Sequence, residues 1–411
     1  MYLAVNIIGL LIFLLIGWLF SKDRKKIDWK GIGIMVVFNL LMAFFLVKVP
    51  WGRFIVKKLA EGFDTLIQVA YKGIAFCIPS MVHLHGNMDF FVSVLLPILL
   101  IVPLFDILTY IGFLPWFIKW IGKILAFITR QPKFESFFAV EMMFLGNTEA
   151  LAVSSLQLKQ MKASRNLTLA MMSMSCVTAS ILGSYMQMMP AQFILTAVPI
   201  NVINALIVTA MLNPVEVSEA EDTIATMKGS AAKESGDVEA DGKKEPFFSF
   251  LGDSILGAGR LVLIIAANVI TFVALAALID KILSLVHIWS MEKILGYILY
   301  PFAWLLGVGG DPHTVLQLSQ YMGTKLITNE FVVMGKVSPI IHTFAPHFRA
   351  VLTVFLTSFA NLSTIGMIIG CFKGIVNREK NDLISKNVGY MLLSGILVSL
   401  LSAAMVGLYV W

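Results

Sequence analysis

Long apolar runs separated by short polar stretches set the layout of the chain. The first 20 residues, MYLAVNIIGLLIFLLIGWLF, carry no charged side chain. At about 1.5 Å per residue, a helix of that length crosses a hydrocarbon layer ~30 Å thick. Similar runs near 31–49, 92–112, 165–187, 193–211, 250–283, 347–372 and 384–410 predict eight transmembrane helices in all. The first run lacks a basic leader and a small-residue cleavage site, and reads as a retained helix rather than a signal peptide. Residues 52–75 depart from the pattern. There Arg53, Lys57, Lys58 and Lys72 mix with Phe54, Ile55, Leu59 and Phe63, as in an amphipathic helix lying in the interface.

The polar stretches divide the chain further. Residues 213–247 hold nine acidic and four basic side chains and little that could form a core, so they are expected to be a flexible cytoplasmic linker. Residues 1–90 form an N-terminal part, and two halves, 91–212 and 248–411, flank the linker. Each half begins with a long apolar run and a short amphipathic segment, PWFIKWIGKILAFI in the first and MEKILGYILYPFAWLLG in the second. An apolar segment interrupted by GNTE or TNE follows, and then two more runs. An odd number of crossings separates the halves, which predicts an inverted repeat. The runs before and after GNTE face the same side. Residues 134–161 must therefore enter and return, as a re-entrant hairpin turning at 146–149. Residues 313–340 do so from the opposite side and turn at 328–330. Such backbone survives at membrane depth only when buried in protein or lining a wet cavity. The expected fold is an all-α polytopic membrane protein with eight transmembrane helices, two opposed re-entrant hairpins and an inverted repeat.

Composition excludes a soluble domain. Of 411 residues, 58% are hydrophobic and 14% charged, against about 25% charged in soluble proteins. The net charge of +6 reads as topology rather than nucleic-acid binding. The basic residues fall in SKDRKKIDWK, at Arg130, Lys133, Lys159, Lys162 and Arg165, and in KGIVNREKNDLISK. Placing these loops in the cytoplasm puts the N-terminus outside, and the partner outside the protein is membrane lipid.

The remaining chemistry is sparse. Cys77, Cys176 and Cys371 form no C-x-x-C and read as packing residues. The pairs His83/His85 and His342/His347 lack the carboxylates of a hydrolytic metal site, and no metal or catalytic residue is expected. GVGGDPH lacks the G-K-[ST] of a phosphate loop and reads as a turn. The 22 methionines suit adaptable packing.

Against this background Glu149, beside Asn147 and Thr148, and Glu330 stand out. A charged carboxylate at the bilayer centre costs at least ~2.5–3.5 kcal/mol on insertion scales. Hydrogen bonds from a hydroxyl-rich ligand, roughly 1.5–3 kcal/mol each to a charged group, offset that cost. The plainer alternative is a carboxylate capping a hairpin turn. A third cluster, FANLSTIG, brings Asn361, Ser363 and Thr364 into the seventh run, and a helix break there would free carbonyls as well. The related stretch SMSCVTASILGS in the fourth run is equally explained by small-residue packing.

Three of these segments, ESFFAVEMMFLGNTEALAV, TKLITNEFVV and SFANLSTIG, resemble the concentrative nucleoside transporter family in order and spacing. The resemblance runs from about residue 90 to the C-terminus. It implies a homotrimer of elevator type that imports nucleosides by symport with sodium or protons. It places Asn147, Thr148 and Glu149 beside the nucleobase, Glu330 at the ribose hydroxyls, and Phe359, Asn361 and Thr364 in the same site, with Ile181 packing on the base. The family's first motif usually reads Gly-Gln-Thr/Ser-Glu. Asn147 shortens that amide by one methylene, which bears on base selectivity, and Thr364 stands where serine is common. Sodium-coupled members have an asparagine seven residues before the first glutamate. Here that residue is Met142, and a thioether is a poor ligand for a hard cation. Cys176 and Val177 add no side-chain oxygen. Protons are therefore favoured over sodium. Low-dielectric surroundings favour the neutral carboxyl, making Glu149 and Glu330 the proton-carrying candidates and Glu141 a weaker one. A nucleoside is uncharged and needs no phosphate clamp; the nearest cation to either tip is Lys325. The rival classes are a membrane enzyme and a gate-like protein sharing the hairpin motif.

Overall fold

Hydrocarbon offers no partner for a backbone N–H or C=O, so each apolar run pairs its own groups by forming helix. The computed structural model describes residues 2–82, 88–218, 221–222, 245–285 and 289–411, and these contain helices and no strand. The N-terminal part is α1 (Tyr2–Leu19), α2 (Trp29–Lys48) and α3 (Pro50–Cys77). Asp28 caps α2 by accepting from the Lys30 N–H at 3.1 Å, and Pro50 opens α3 where its missing N–H costs nothing. α3 is longer than residues 52–75. It exposes Phe54, Leu59 and Phe76 and buries Val56, Ile67 and Ile74.

A similar order of elements then occurs twice, with α18 as an extra short helix in the second passage. The first passage is α4 (Ile98–Tyr110), α5 (Phe113–Thr129), α6 (Lys133–Leu145), α7 (Asn147–Val153), α8 (Ser155–Gln160), α9 (Ala163–Ser173), α10 (Ala179–Met186) and α11 (Ala191–Leu212). The second is α12 (Phe247–Leu285), α13 (Met291–Leu305), α14 (Pro312–Ile327), α15 (Glu330–Val337), α16 (Pro346–Leu356), α17 (Leu362–Ile375), α18 (Arg378–Lys386) and α19 (Val388–Gly407). α4 packs on α12, α5 on α6, α13 on α14, and α11 on α19. Among the described residues six helical segments are long and apolar enough to cross a membrane: 2–19, 29–48, 91–110, 191–212, 247–285 and 388–407.

Two expected spans are interrupted. The run 165–187 is broken at 174–178 and the run 347–372 at 357–361, leaving α9/α10 and α16/α17. The final run, expected as one helix over 384–410, is two elements that meet at Asn387.

α11 is buried on nearly every side and shows what a break needs. Its Asn201 amide donates at 2.5 Å to the carbonyl of Thr357, which follows the end of α16. Asn204 donates to Ser402 of α19 at 2.9 Å, and Asn39 of α2 donates to the Ile200 carbonyl at 3.1 Å. Gly9 lets α1 close on the end of α13, because a Cβ there would lie 2.1 Å from the Leu305 carbonyl oxygen.

In the first turn of α9, Arg165 makes a two-pronged bond to Glu135, both contacts 2.7 Å, with the two side chains 3% and 6% exposed. Arg165 also donates to the Glu221 carbonyl at 3.0 Å. Lys162 pairs with the Glu221 carboxylate at 2.7 Å, and its hydrogen bond holds that carboxyl below its ordinary value. Most of the expected linker, 219–220 and 223–244, lies outside the described residues, as do His83 and His85. Removing one partner of a buried pair strands the other charge, at about 3–5 kcal/mol. Glu135→Ala should therefore lower the thermal unfolding midpoint in detergent sharply. The double replacement Glu135→Met/Arg165→Met should recover most of the loss.

Candidate functional site

The chain turns between α6 and α7 at Gly146, with φ 92° and ψ 176°. Only glycine holds that conformation without strain. Space is short as well: a Cβ there would meet the Thr178 Cβ and a Glu149 carboxylate oxygen, each at 3.1 Å. α7 begins at once, so Asn147, Thr148 and Glu149 form its first turn, where a carboxylate suits the positive helix end. The Ser154 hydroxyl donates to Glu141 of α6 at 2.8 Å, so the chain doubles back beside α6. That bond occupies Glu141, which is buried and does not line the cavity described below.

The second turn is at Thr328 and Asn329. Asn329 caps α15 by accepting from the Val332 N–H at 3.0 Å, and Glu330 is the first residue of that helix. Glu330 is 2% exposed, and both carboxylate oxygens have partners. Tyr185 of α10 donates to one at 2.8 Å, and the Asn361 amide donates to the other at 3.1 Å. Asn361 is itself the N-cap of α17, its Oδ1 accepting from the Thr364 N–H at 2.9 Å and hydroxyl at 3.0 Å. One carboxylate thus ties the second turn to both broken helices.

Between these elements lies a cavity with about 1070 Å³ of atom-free space, part of it open to solvent. It is lined by all eight residues expected at a binding site: Asn147, Thr148, Glu149, Ile181, Glu330, Phe359, Asn361 and Thr364. Thr148 and Glu149 are exposed to it. Asn147 is 4% exposed, yet neither its amide nitrogen nor its amide oxygen has a partner in the protein. Buried amides are rarely left unsatisfied, so this one is available to a ligand. No lysine, arginine or histidine is among the described lining residues. Lys325 points elsewhere, into the second helix break. His347 is engaged by the carbonyls of Leu306 at 2.9 Å and Val410 at 3.1 Å, rather than paired with His342.

Sequence reasoning missed the opposite wall. α4 supplies Asp106, and α12 supplies Asn268 with Leu261, Ile264 and Ile265. Ser254 of α12 donates to Asp106 and joins the two helices. The signal was a single polar residue in each of the stretches VPLFDIL and IIAANVI.

Comparison with known proteins bears on the family. Family models described as "Na+ dependent nucleoside transporter C-terminus" and "N-terminus" match residues 193–407 and 8–81. The chain is 45% identical to the purine nucleoside transport protein NupG of Bacillus subtilis (strain 168), over all of both chains. The chain belongs to the concentrative nucleoside transporter family. Another relative is the nucleoside permease NupC of Helicobacter pylori (strain ATCC 700392 / 26695), 26% identical over 98% of this chain and 97% of its own. The fold is shared with CNTnw in an inward-facing substrate-bound state, with TM-score 0.87 and 22% identity over 100% of this chain and 98% of that one.

As a concentrative nucleoside transporter, it is a multi-pass protein of the cell membrane, from a family of transporters rather than enzymes. In this transporter the turn glycine holds the first tip against α10. Gly146→Ala should leave the protein folded but cut nucleoside uptake by about tenfold or more, since the left-handed backbone and two 3.1 Å contacts must all give. Uptake corrected for surface expression checks this.

Proposed function

We propose that this protein imports nucleosides by symport with protons, purine nucleosides foremost. One observation supports the substrate class best: a single cavity is lined by both tips and the second helix break, and its described lining carries carboxylates, amides and hydroxyls but no cation. That lining suits a neutral ligand with a donor-rich sugar and polar base edges, and repels a phosphate. The purine preference comes from the 45% identity to a purine nucleoside transport protein. In this reading Asn147, Thr148 and Glu149 bind the base, with Ile181 against its face. Glu330, Asn361 and Thr364 bind the ribose, with Phe359 closing the site.

The proton assignment rests on donor chemistry. Met142, the residue at the sodium-linked position, is fully buried, and its sulfur accepts a bond from Ser173 at 3.2 Å. Thioether sulfur is a poor partner for sodium. Glu149, exposed to the cavity, and Glu330 are the proton carriers proposed, with Glu141 behind them because it does not line the cavity. The family models' description favours sodium as the alternative ion.

The architecture proposed with this function has eight membrane crossings: the six continuous helices plus the broken pairs α9/α10 and α16/α17. α6–α8 and α14–α15 are two opposed re-entrant hairpins, and the halves 91–212 and 248–411 form an inverted repeat. The hairpins and broken helices move as one body, elevator fashion, against a trimeric scaffold that includes residues 1–90. The doubling back at Ser154 and Glu141 and the repeated order of elements support this reading.

Uptake of radiolabelled adenosine should persist when choline replaces sodium and collapse with a protonophore. Uptake that requires sodium at constant pH rejects the proton assignment. Glu149→Gln and Glu330→Gln should each weaken nucleoside binding about 10- to 100-fold, the worth of a charged hydrogen bond. Unaltered affinity in either would remove that residue from the site.

A further inference from the structure

Lys325 is fully buried in α14, five residues before Glu330, and takes no part in the cavity. Its ammonium donates to the Phe355 carbonyl at 2.8 Å and to the Ser358 hydroxyl at 2.5 Å, and lies 3.4 Å from the Ser399 hydroxyl. It also sits 4.6 Å from the centre of the Phe355 ring. The three oxygens come from the last turn of α16, from the break and from α19. The bonding is complete. Ser399 gives its proton to the Gly395 carbonyl at 2.8 Å, so Ser358 donates to Ser399 across their 2.7 Å contact, and both hydroxyls keep lone pairs for the lysine. An ammonium has three donors and no acceptor, and here it meets three acceptors.

A helix broken inside a membrane exposes carbonyls at one end and N–H groups at the other, with partial charges of opposite sign. Lys325 meets the carbonyl end of α16. Glu330 meets the other side, through Asn361 at the start of α17. Two opposite charges on one short segment thus straddle the break, each beside the helix end of opposite sign. The first break is served differently. There Ser173, the last residue of α9, bonds Met142 of α6, which carries no charge.

We propose that Lys325 is a covalently tethered hydrogen-bond donor for the second helix break. It is a positioning residue that holds residues 358–361 in register with Glu330. The inference rests on the reading of Glu330 and Asn361 as ribose-binding groups.

The test compares adenosine with 2′,3′-dideoxyadenosine, which lacks the 2′- and 3′-hydroxyls, by calorimetry on purified protein in detergent. Wild type should prefer adenosine. In Lys325→Met that preference should shrink at least about fivefold, with adenosine weakened and the dideoxy compound nearly unmoved, since one set of hydrogen bonds is lost and the rest kept. A general structural defect would weaken both ligands by the same factor, and that result overturns the inference, as does an unchanged preference. Where Lys325→Met does not fold, Ser358→Ala/Ser399→Ala decides. It keeps the lysine but strips two of its three oxygens; a narrowed preference supports the inference and an unchanged one overturns it. A wild type indifferent to the hydroxyls overturns the ribose reading itself, and the inference with it. Wild-type discrimination that survives in Lys325→Met overturns the inference alone.

Discussion

Backbone that leaves a helix at membrane depth has to find partners inside the protein, and this constraint organises the molecule. Four interruptions meet near one cavity: the turns at Gly146 and Thr328, and the breaks at 174–178 and 357–361. At three of them, all but the turn at Gly146, side chains stand in for the missing helical bonds. Asn329 and Asn361 cap the helices that restart, Thr178 accepts from the Ser180 N–H at the start of α10, and Asn201 reaches from α11 to the Thr357 carbonyl. Polar groups that would be a liability in hydrocarbon are thereby concentrated where a polar ligand can use them.

Glu330 shows how closely support and recognition are linked. Its oxygens hold Tyr185 and Asn361, which belong to the two different broken helices. In the proposed reading, a ligand hydroxyl at this carboxylate would join a network that already spans the cavity, and little ordering would remain to oppose association.

Much of this was legible in the chain because hydrocarbon makes polar residues conspicuous. Glu149 and Glu330 could be singled out because a carboxylate in an apolar run demands a reason, and Asn361 and Thr364 because several polar residues fall together. The break at 174–178 was not legible, since serines, a cysteine and a threonine serve equally well as close-packing residues in an unbroken helix. Asp106 and Asn268 were missed because neither has a polar neighbour beside it in sequence, unlike Glu149 with Asn147 and Thr148, and only the packing of α4 on α12 brings them to the same wall. Lys325 was visible as a charge, but its role depends on Phe355, Ser358 and Ser399, which lie 30 to 74 residues away.

α12 carries a further consequence. At 39 residues it measures nearly 60 Å at about 1.5 Å per residue, roughly twice the hydrocarbon thickness. It cannot stand upright within the bilayer; it must lean steeply, project beyond the headgroups, or do both. Since α12 forms one wall of the cavity through Leu261, Ile265 and Asn268 and packs on α4, the lean that this length demands is shared with a cavity wall, and helix packing there has to hold it.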